Sequence, residues 1–171
     1  MKHLYYCRHG LSVMNKQGLL AGSTDTPLHD EGREQARVAG QAAKQYRFDL
    51  IVASPMKRAR ETAEIIAREC GYPIEKIVFD KRVVERHFGD LEGTPWHPGI
   101  DFGSNTTVEP HDIIMARAQS AKDWLDARPE TNILLISHGA FIRAIRSLYL
   151  PNMPYADATA NMPNAKIVKI I

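Results

Sequence analysis

The sequence predicts an α/β domain, a three-layer α/β/α sandwich built on a mostly parallel central sheet. Three observations predict it. Leu50-Ile51-Val52-Ala53 and Ile133 to Ile136 are short continuous apolar runs, the pattern of parallel strands covered on both faces. The stretches between such runs carry apolar residues at spacings of three and four, which is helical periodicity. Gly and Pro punctuate the transitions, and strand alternating with helix argues for a parallel sheet with helices on both faces.

Each element follows in order. His3 to Cys7 reads as the first strand, stopped by Arg8-His9-Gly10. Asn15 to Pro27 is polar and reads as a loop. Asp30 predicts a helix N-cap with Glu31 in the first turn. That helix runs to about Tyr46, with Ala36, Ala39, Ala43 and Tyr46 on its apolar face. The second strand, 50–53, gives way at Ser54-Pro55 to a helix over Met56 to Glu69. Cys70-Gly71-Tyr72-Pro73 ends it, with Gly at the C-cap. Ile77 to Phe79 predicts a third strand. Residues 86–108 show no period, and a loop longer than ~12–15 residues in a compact domain is more often functional than idle. A helix after Pro110 places Ile113, Ile114, Ala118, Ala121, Trp124 and Leu125 on one side. The strand at 133–136 ends in Ser137-His138-Gly139, and a helix follows over Ala140 to Tyr149. Pro151 to Pro163 is irregular, and Ile167 to Ile171 predicts an edge strand. No repeat, linker or low-complexity tract interrupts 1–171, so a single domain is expected.

Composition narrows the function classes. The 171 residues are 44% hydrophobic and 25% charged, ordinary for a globular protein. Lys and Arg number 22 against 20 Asp and Glu, a net +2, which argues against a broad nucleic-acid surface. The longest apolar runs fall far below the ~20 residues that span a membrane. Cys7 and Cys70 are expected as reduced thiols, and the start MKHLYYCRHG lacks the apolar core of a signal peptide. These readings predict a cytoplasmic protein with neither nucleic-acid nor membrane partners. Among seven histidines no pair sits at i, i+4 and no Cys-x-x-Cys occurs, so no metal site is expected.

Ligands of open α/β sheets bind at the carboxyl ends of the strands. If the strands ending at Arg8-His9-Gly10, Ser54 and Ser137-His138-Gly139 are neighbours, two histidines and two arginines converge there. Arg8 and Arg58 offer planar donor forks that match phosphate oxygens. A neutral histidine among them is a candidate nucleophile. Gly139 permits close backbone approach where a helix begins, and a helix N-terminus favours anions. Transfer of phosphate to histidine also needs an acid for the leaving oxygen. Glu85 is the candidate and Glu92 its rival.

These residues carry a resemblance. Arg8-His9-Gly10, then Gly22-x-x-Asp25-x-Pro27-Leu28, Gly32-x-x-Gln35-Ala36, Ser54-Pro55-x-x-Arg58-Ala59-x-x-Thr62-Ala63, Glu85 to Gly93 and Ser137-His138-Gly139 together resemble the histidine phosphatase superfamily, which includes the cofactor-dependent phosphoglycerate mutases. The blocks stand in family order from about residue 4 to 143. The resemblance implies a phosphoglycerate mutase-like fold. It implies His9 as the phosphorylated nucleophile, Arg8, Arg58 and His138 as phosphate ligands, and Glu85 as proton donor. Asn15, Ala21, Gly22, Arg86, His87 and Gly139 match positions near the substrate. Neither metal nor organic cofactor is implied.

The departures favour one branch. Leu11 stands where mutases carry an acid or Gln, Ala21 where a hydroxyl residue is usual, and Phe88 where mutases place Tyr. The segment from Gly93 to Glu109 is short, and no Lys or Arg occurs from Thr94 to Met115. The expected activity is therefore a phosphatase acting on a phosphorylated small molecule or a phosphoprotein. The alternatives are a phosphoglycerate mutase and a non-catalytic phosphate-binding regulatory module. Specificity is expected in 86–108 and 151–163, with Trp96 near the mouth. Trp124 is expected in the core, and His3, His29, His97 and His111 are expected as surface or structural residues. The sequence carries no statement about oligomeric state.

Overall fold

The computed structural model describes residues 1–155 and 162–171. Five strands form one sheet: β1 (His3–Arg8), β2 (Leu50–Ala53), β3 (Val78–Phe79), β4 (Asn132–Ser137) and β5 (Ile167–Lys169), in the spatial order β3-β2-β4-β1-β5. All neighbours run parallel except β5, which pairs antiparallel with β1 at the edge. Both central apolar runs are wholly buried. The helices are α1 (Val13–Lys16), α2 (Asp30–Ala43), α3 (Lys57–Cys70), α4 (His111–Asp126) and α5 (Gly139–Tyr149).

Strand residues alternate between two cores, as the two-residue period of a strand requires. Leu4, Leu50, Val52, Ile133 and Leu135 face α4 and α5, against Ile114, Ala118, Leu125, Phe141 and Ile145. Cys7, Ile51, Ala53, Leu134 and Ile136 face α2 and α3, against Ala39, Ala43, Ala59, Ala63 and Ile66. The expected three-layer sandwich is present. The alanine-lined faces of α2 and α3 let these two helices pack closely against each other and the sheet.

Several local expectations are corrected. The cap of α2 is His29, whose Nδ1 accepts from the Glu31 N–H at 3.2 Å, so Asp30 is the first helical residue. The helix ends at Ala43 rather than Tyr46; Tyr46 leaves it to stack with Tyr5 and Phe48. The stretch read as a loop contains α1, capped by the Ser12 hydroxyl accepting from Asn15 N–H at 3.2 Å. Ile113 is exposed rather than on the buried face of α4, which is carried by Ile114, Ala118, Ala121 and Leu125. Trp124 is only partly buried, with the Arg82 and Arg128 guanidinium carbons each 5.1 Å from its ring centroid. Such cation–π contacts suit an amphipathic ring at a core margin. Helix α5 starts one residue early, at Gly139. Of the irregular stretch 151–163, residues 156–161 lie outside the described residues.

Two glycines seat the loop after β1 against α2. A Cβ on Gly10 would collide with the Gly32 carbonyl, and a Cβ on Gly32 with the Leu11 backbone. The loop is further held by Leu11 N–H donating to Gln35 Oε1 at 2.9 Å, His29 N–H to Leu11 O at 2.9 Å, and Gly10 N–H to Thr62 Oγ1 at 3.0 Å. Gln35 and Gly32, both on α2, thus position the residue that follows His9. Gly32→Ala is expected to overpack this contact and cost about 1–3 kcal/mol. Urea unfolding of the variant checks it; an unchanged midpoint would refute the close-packing account.

Candidate active site

Parallel pairing of β1 with β4 sets Arg8 opposite Ser137, and pairing of β4 with β2 sets Ala53 opposite Ile136. The three strands therefore end level, and His9, Ser54 and His138 follow at one edge. The His9 and His138 ring centroids are 5.2 Å apart. His9 N–H donates to Ser137 O at 3.0 Å and Ser54 N–H to Ile136 O at 3.0 Å, which extends the ladder into the site.

His9 is 2% exposed. Its Nδ1 lies 2.6 Å from Gly10 O. A carbonyl can only accept, so Nδ1 carries the proton and Nε2 keeps its lone pair. Arg58 Nε donates to that Nε2 at 3.2 Å. Burial, then the Arg58 and Arg8 charges, hold the His9 pKa well below the usual histidine range, against the Gly10 hydrogen bond that raises it. His138 is fully buried; burial, then Arg58, His9 and Arg8, lower its pKa likewise. Both rings are neutral at pH 7. His138 Nε2 is 2.8 Å from Ser54 Oγ, and its Nδ1 has no partner.

Arg58 is 1% exposed. Its Nη1 and Nη2 donate to Thr24 O at 2.9 Å and Gly22 O at 2.7 Å. Burial lowers its pKa to about 10, while Glu85 and Asp25 oppose the shift. Arg8 Nη1 donates to Met162 O at 3.0 Å, and Arg8 Nε is buried without a partner. Carbonyls, not carboxylates, hold these two guanidiniums, so their positive charge stays uncompensated at contact distance. That makes a strong anion site.

Glu85 sits beside the N-terminus of α5. Its Oε1 accepts from the N–H groups of Arg86 at 2.8 Å and Phe141 at 3.1 Å, and Oε2 from Ala140 N–H at 3.2 Å. Oε2, with one donor, is the oxygen with room for a proton. Glu92 is spent differently. It accepts from Ser23 N–H and Oγ, Thr24 Oγ1 and Phe88 N–H. Burial raises its pKa, but these hydrogen bonds outweigh burial and the net shift is downward. It staples two loops.

A cavity of about 680 Å³ opens over these groups, lined by Arg8, His9, Asn15, Ala21, Gly22, Arg58, Glu85 and Gly139. His138 stands behind that wall, against His9. Arg86 and His87 do not line it. Arg86 is buried with Nε donating to Glu109 O and Nη1 to Tyr155 Oη; His87 is exposed and accepts from Gly89 N–H. Their side chains brace the loop. Gly22 has φ +53°, and a Cβ there would strike Glu92 and Phe88. Phe102 and Met162 fall in the stretches 86–108 and 151–163 where specificity is expected; the sequence reading missed Leu19, Leu20 and Asn164 in the walls, and also Arg143. His97, expected as a surface or structural residue, is exposed and also lines the cavity beside Trp96. Helical periodicity could have flagged Arg143, four residues beyond Gly139; the others lie in aperiodic segments. No three His, Cys, Asp or Glu among the described residues cluster to hold a metal, and no helix is long and apolar enough to cross a membrane.

The sequence profile of the histidine phosphatase superfamily (branch 1) matches residues 4–171. The uncharacterized phosphatase PhoE of Bacillus subtilis (strain 168) is 36% identical over 145 residues, covering 81% of this chain and 72% of its own. The phosphoglycerate mutase-like protein 4 of Arabidopsis thaliana is 31% identical, with 94% and 75% covered. The solved structure of a mycobacterial glucosyl-3-phosphoglycerate phosphatase in complex with VO3 is 26% identical with a TM-score of 0.81, over 99% of this chain and 90% of that one. The chain belongs to the histidine phosphatase superfamily (branch 1). It is an enzyme of the phosphatase or mutase-like class that this superfamily comprises.

The two depressed histidines make stability pH-dependent. Above about pH 6.5 both are neutral folded and unfolded, and neither contributes a slope. Below it the unfolded chain binds protons that the fold excludes, so stability falls as pH falls. The expected slope reaches about 1.4 kcal/mol per pH unit for each histidine. Urea midpoints between pH 6.5 and 5 check this, and His138→Asn is expected to remove about half of the slope.

Proposed function

We propose that this protein is a phosphomonoester hydrolase that works through a phosphohistidine on Nε2 of His9. The observation that carries the reading is the His9 tautomer. Gly10 O holds the proton on Nδ1, so the Nε2 lone pair points to Arg58 and the cavity. Arg58 Nε donates to that lone pair. An arriving phosphate, accepting from the same guanidinium, would draw Arg58 off Nε2 and free the nucleophile.

In the first step Nε2 bonds to phosphorus, the ester P–O bond breaks, and a protonated Glu85 gives its proton to the leaving oxygen. Arg8, Arg58 and the unpartnered Nδ1 of His138 are the groups suited to hold the equatorial oxygens. In the second step water attacks phosphorus, Glu85 takes its proton, the P–N bond breaks, and neutral His9 returns with free phosphate. The substrate is a phosphorylated small molecule: the cavity volume lies within the ~300–1,000 Å³ of small-molecule sites. Its walls away from the histidine include Leu11, Leu19, Phe88, Trp96 and Phe102. A phosphoprotein side chain is the wider alternative.

His9→Ala is expected to reduce p-nitrophenyl phosphate hydrolysis to background and to abolish an acid-labile phosphoenzyme. Turnover equal to wild type would remove the mechanism. Tight phosphate binding with neither turnover nor phosphoenzyme would favour the regulatory module. Interconversion of 3- and 2-phosphoglycerate exceeding hydrolysis would favour the mutase that several relatives' names carry. Glu85→Gln is expected to slow an alkyl phosphate about 10²–10⁴-fold. It should slow p-nitrophenyl phosphate far less, since that leaving group departs without a proton. Equal losses on both esters would exclude Glu85 as the acid.

A further inference from the structure

Arg143 is the one arginine in the cavity wall that the proposed reaction leaves unused. It lies on α5, one helical turn past Gly139. Helical side chains lean toward the N-terminus of their helix, which carries this guanidinium toward the cavity. Its Nε is buried without a partner, and among the described residues it forms no ion pair. Its guanidinium carbon lies 5.4 Å from the Tyr155 ring centroid.

Packing places it beside Arg8. A Cβ built on Gly139, one turn before Arg143, would lie 3.7 Å from Arg8 Nε, so α5 brings Arg143 along the wall on the Arg8 side. Burial lowers the Arg8 pKa, Glu85 raises it, and the Arg143 charge lowers it. A phosphate on His9 is served by Arg58 and Arg8, and a third guanidinium lies further along the same wall. The loop 94–115 contains no Lys or Arg, and the nearby Arg86 is spent on Glu109 O and Tyr155. Helix α5 supplies the cation that this loop lacks.

We propose that Arg143 is a specificity-determining residue that binds a second anionic group of the substrate, a carboxylate or a further phosphate, on the Arg8 side of the scissile phosphate. The planar fork suits either group bidentately. The inference rests on the hydrolase reading for its reaction, but not for its binding chemistry.

The test compares 3-phosphoglycerate with glycerol 3-phosphate, which differ by a carboxylate against a hydroxymethyl group. The quantity read is the ratio of their kcat/KM values, and in parallel the ratio of their calorimetric Kd values. Arg143→Gln is expected to reduce the preference for the carboxylate-bearing ester about 10- to 100-fold, the effect of a charge-assisted hydrogen bond. Arg143→Lys should restore part of it, because the charge remains and the fork is lost. A ratio unchanged in Arg143→Gln overturns the proposal, as does a wild type that binds both esters equally. If neither ester nor p-nitrophenyl phosphate is hydrolysed, the hydrolase reading fails, and the Kd ratio still decides the role of Arg143.

Discussion

The parallel register of β1, β4 and β2 is the constraint on which the rest of the site depends. His3 pairs with Asn132 and Arg8 with Ser137, and β2 continues the register through Leu50 opposite Ile133. A slip of one residue would turn Cys7 and Ile136 out of the α2–α3 core and Leu4 and Ile133 out of the α4–α5 core. Burial on both faces thus locks the strand ends level, and the level ends bring two histidine rings together. The site costs the sheet little, because the ladder hydrogen bonds continue through His9 and Ser54 before the chain departs.

Once the rings are placed, buried positive charge dominates. Arg58 enters from the first turn of α3 and is as buried as the core leucines. Isolating a guanidinium from water is costly unless its donors are matched. Two of its nitrogens are matched by the Gly22 and Thr24 carbonyls, so the loop before α2 exists in this shape partly to hold an arginine. The third meets His9. Burial, and then the same charges, keep both histidines neutral, which for His9 is the nucleophilic state. Cys7, two residues before His9, is fully buried with its thiol pushed up to about 12, which leaves it unreactive beside the site.

The cavity walls depend on a second layer of support. Glu92 joins the 88–93 loop to the 20–25 loop through three hydrogen bonds and bonds Phe88 N–H within its own loop, and Glu109 pairs with Arg117 while bonding the His87 N–H. The far side is closed by the C-terminal segment, where Asn164 Nδ2 donates to His9 O at 2.8 Å and Ala165 N–H to Arg8 O at 2.8 Å. Leu11 adds an apolar side chain to the cavity lining. The pocket consequently has a strongly cationic end and a largely apolar mouth, which suits an anionic group carried on an organic body.

How much of this was legible in the sequence differs by layer. Strand and helix identity, the buried runs, and the convergence of Arg8, His9, Arg58, Glu85 and His138 followed from periodicity, strand-end chemistry and ordered motifs, because each is written in local residue patterns. Local signals also misled. His29 caps α2 although Asp30 is the commoner cap, and Ile113 is exposed because a helix has room for only one buried stripe. Tertiary structure alone decided what side chains from distant segments do to one another. It tied Glu92 into the loops and left Glu85 facing Arg8, turned Arg86 and His87 to bracing, and set Arg143 and His97 in the cavity wall. Those outcomes depend on which of several chemically competent groups finds its hydrogen-bond partners first satisfied by another segment, and no spacing along the chain encodes that.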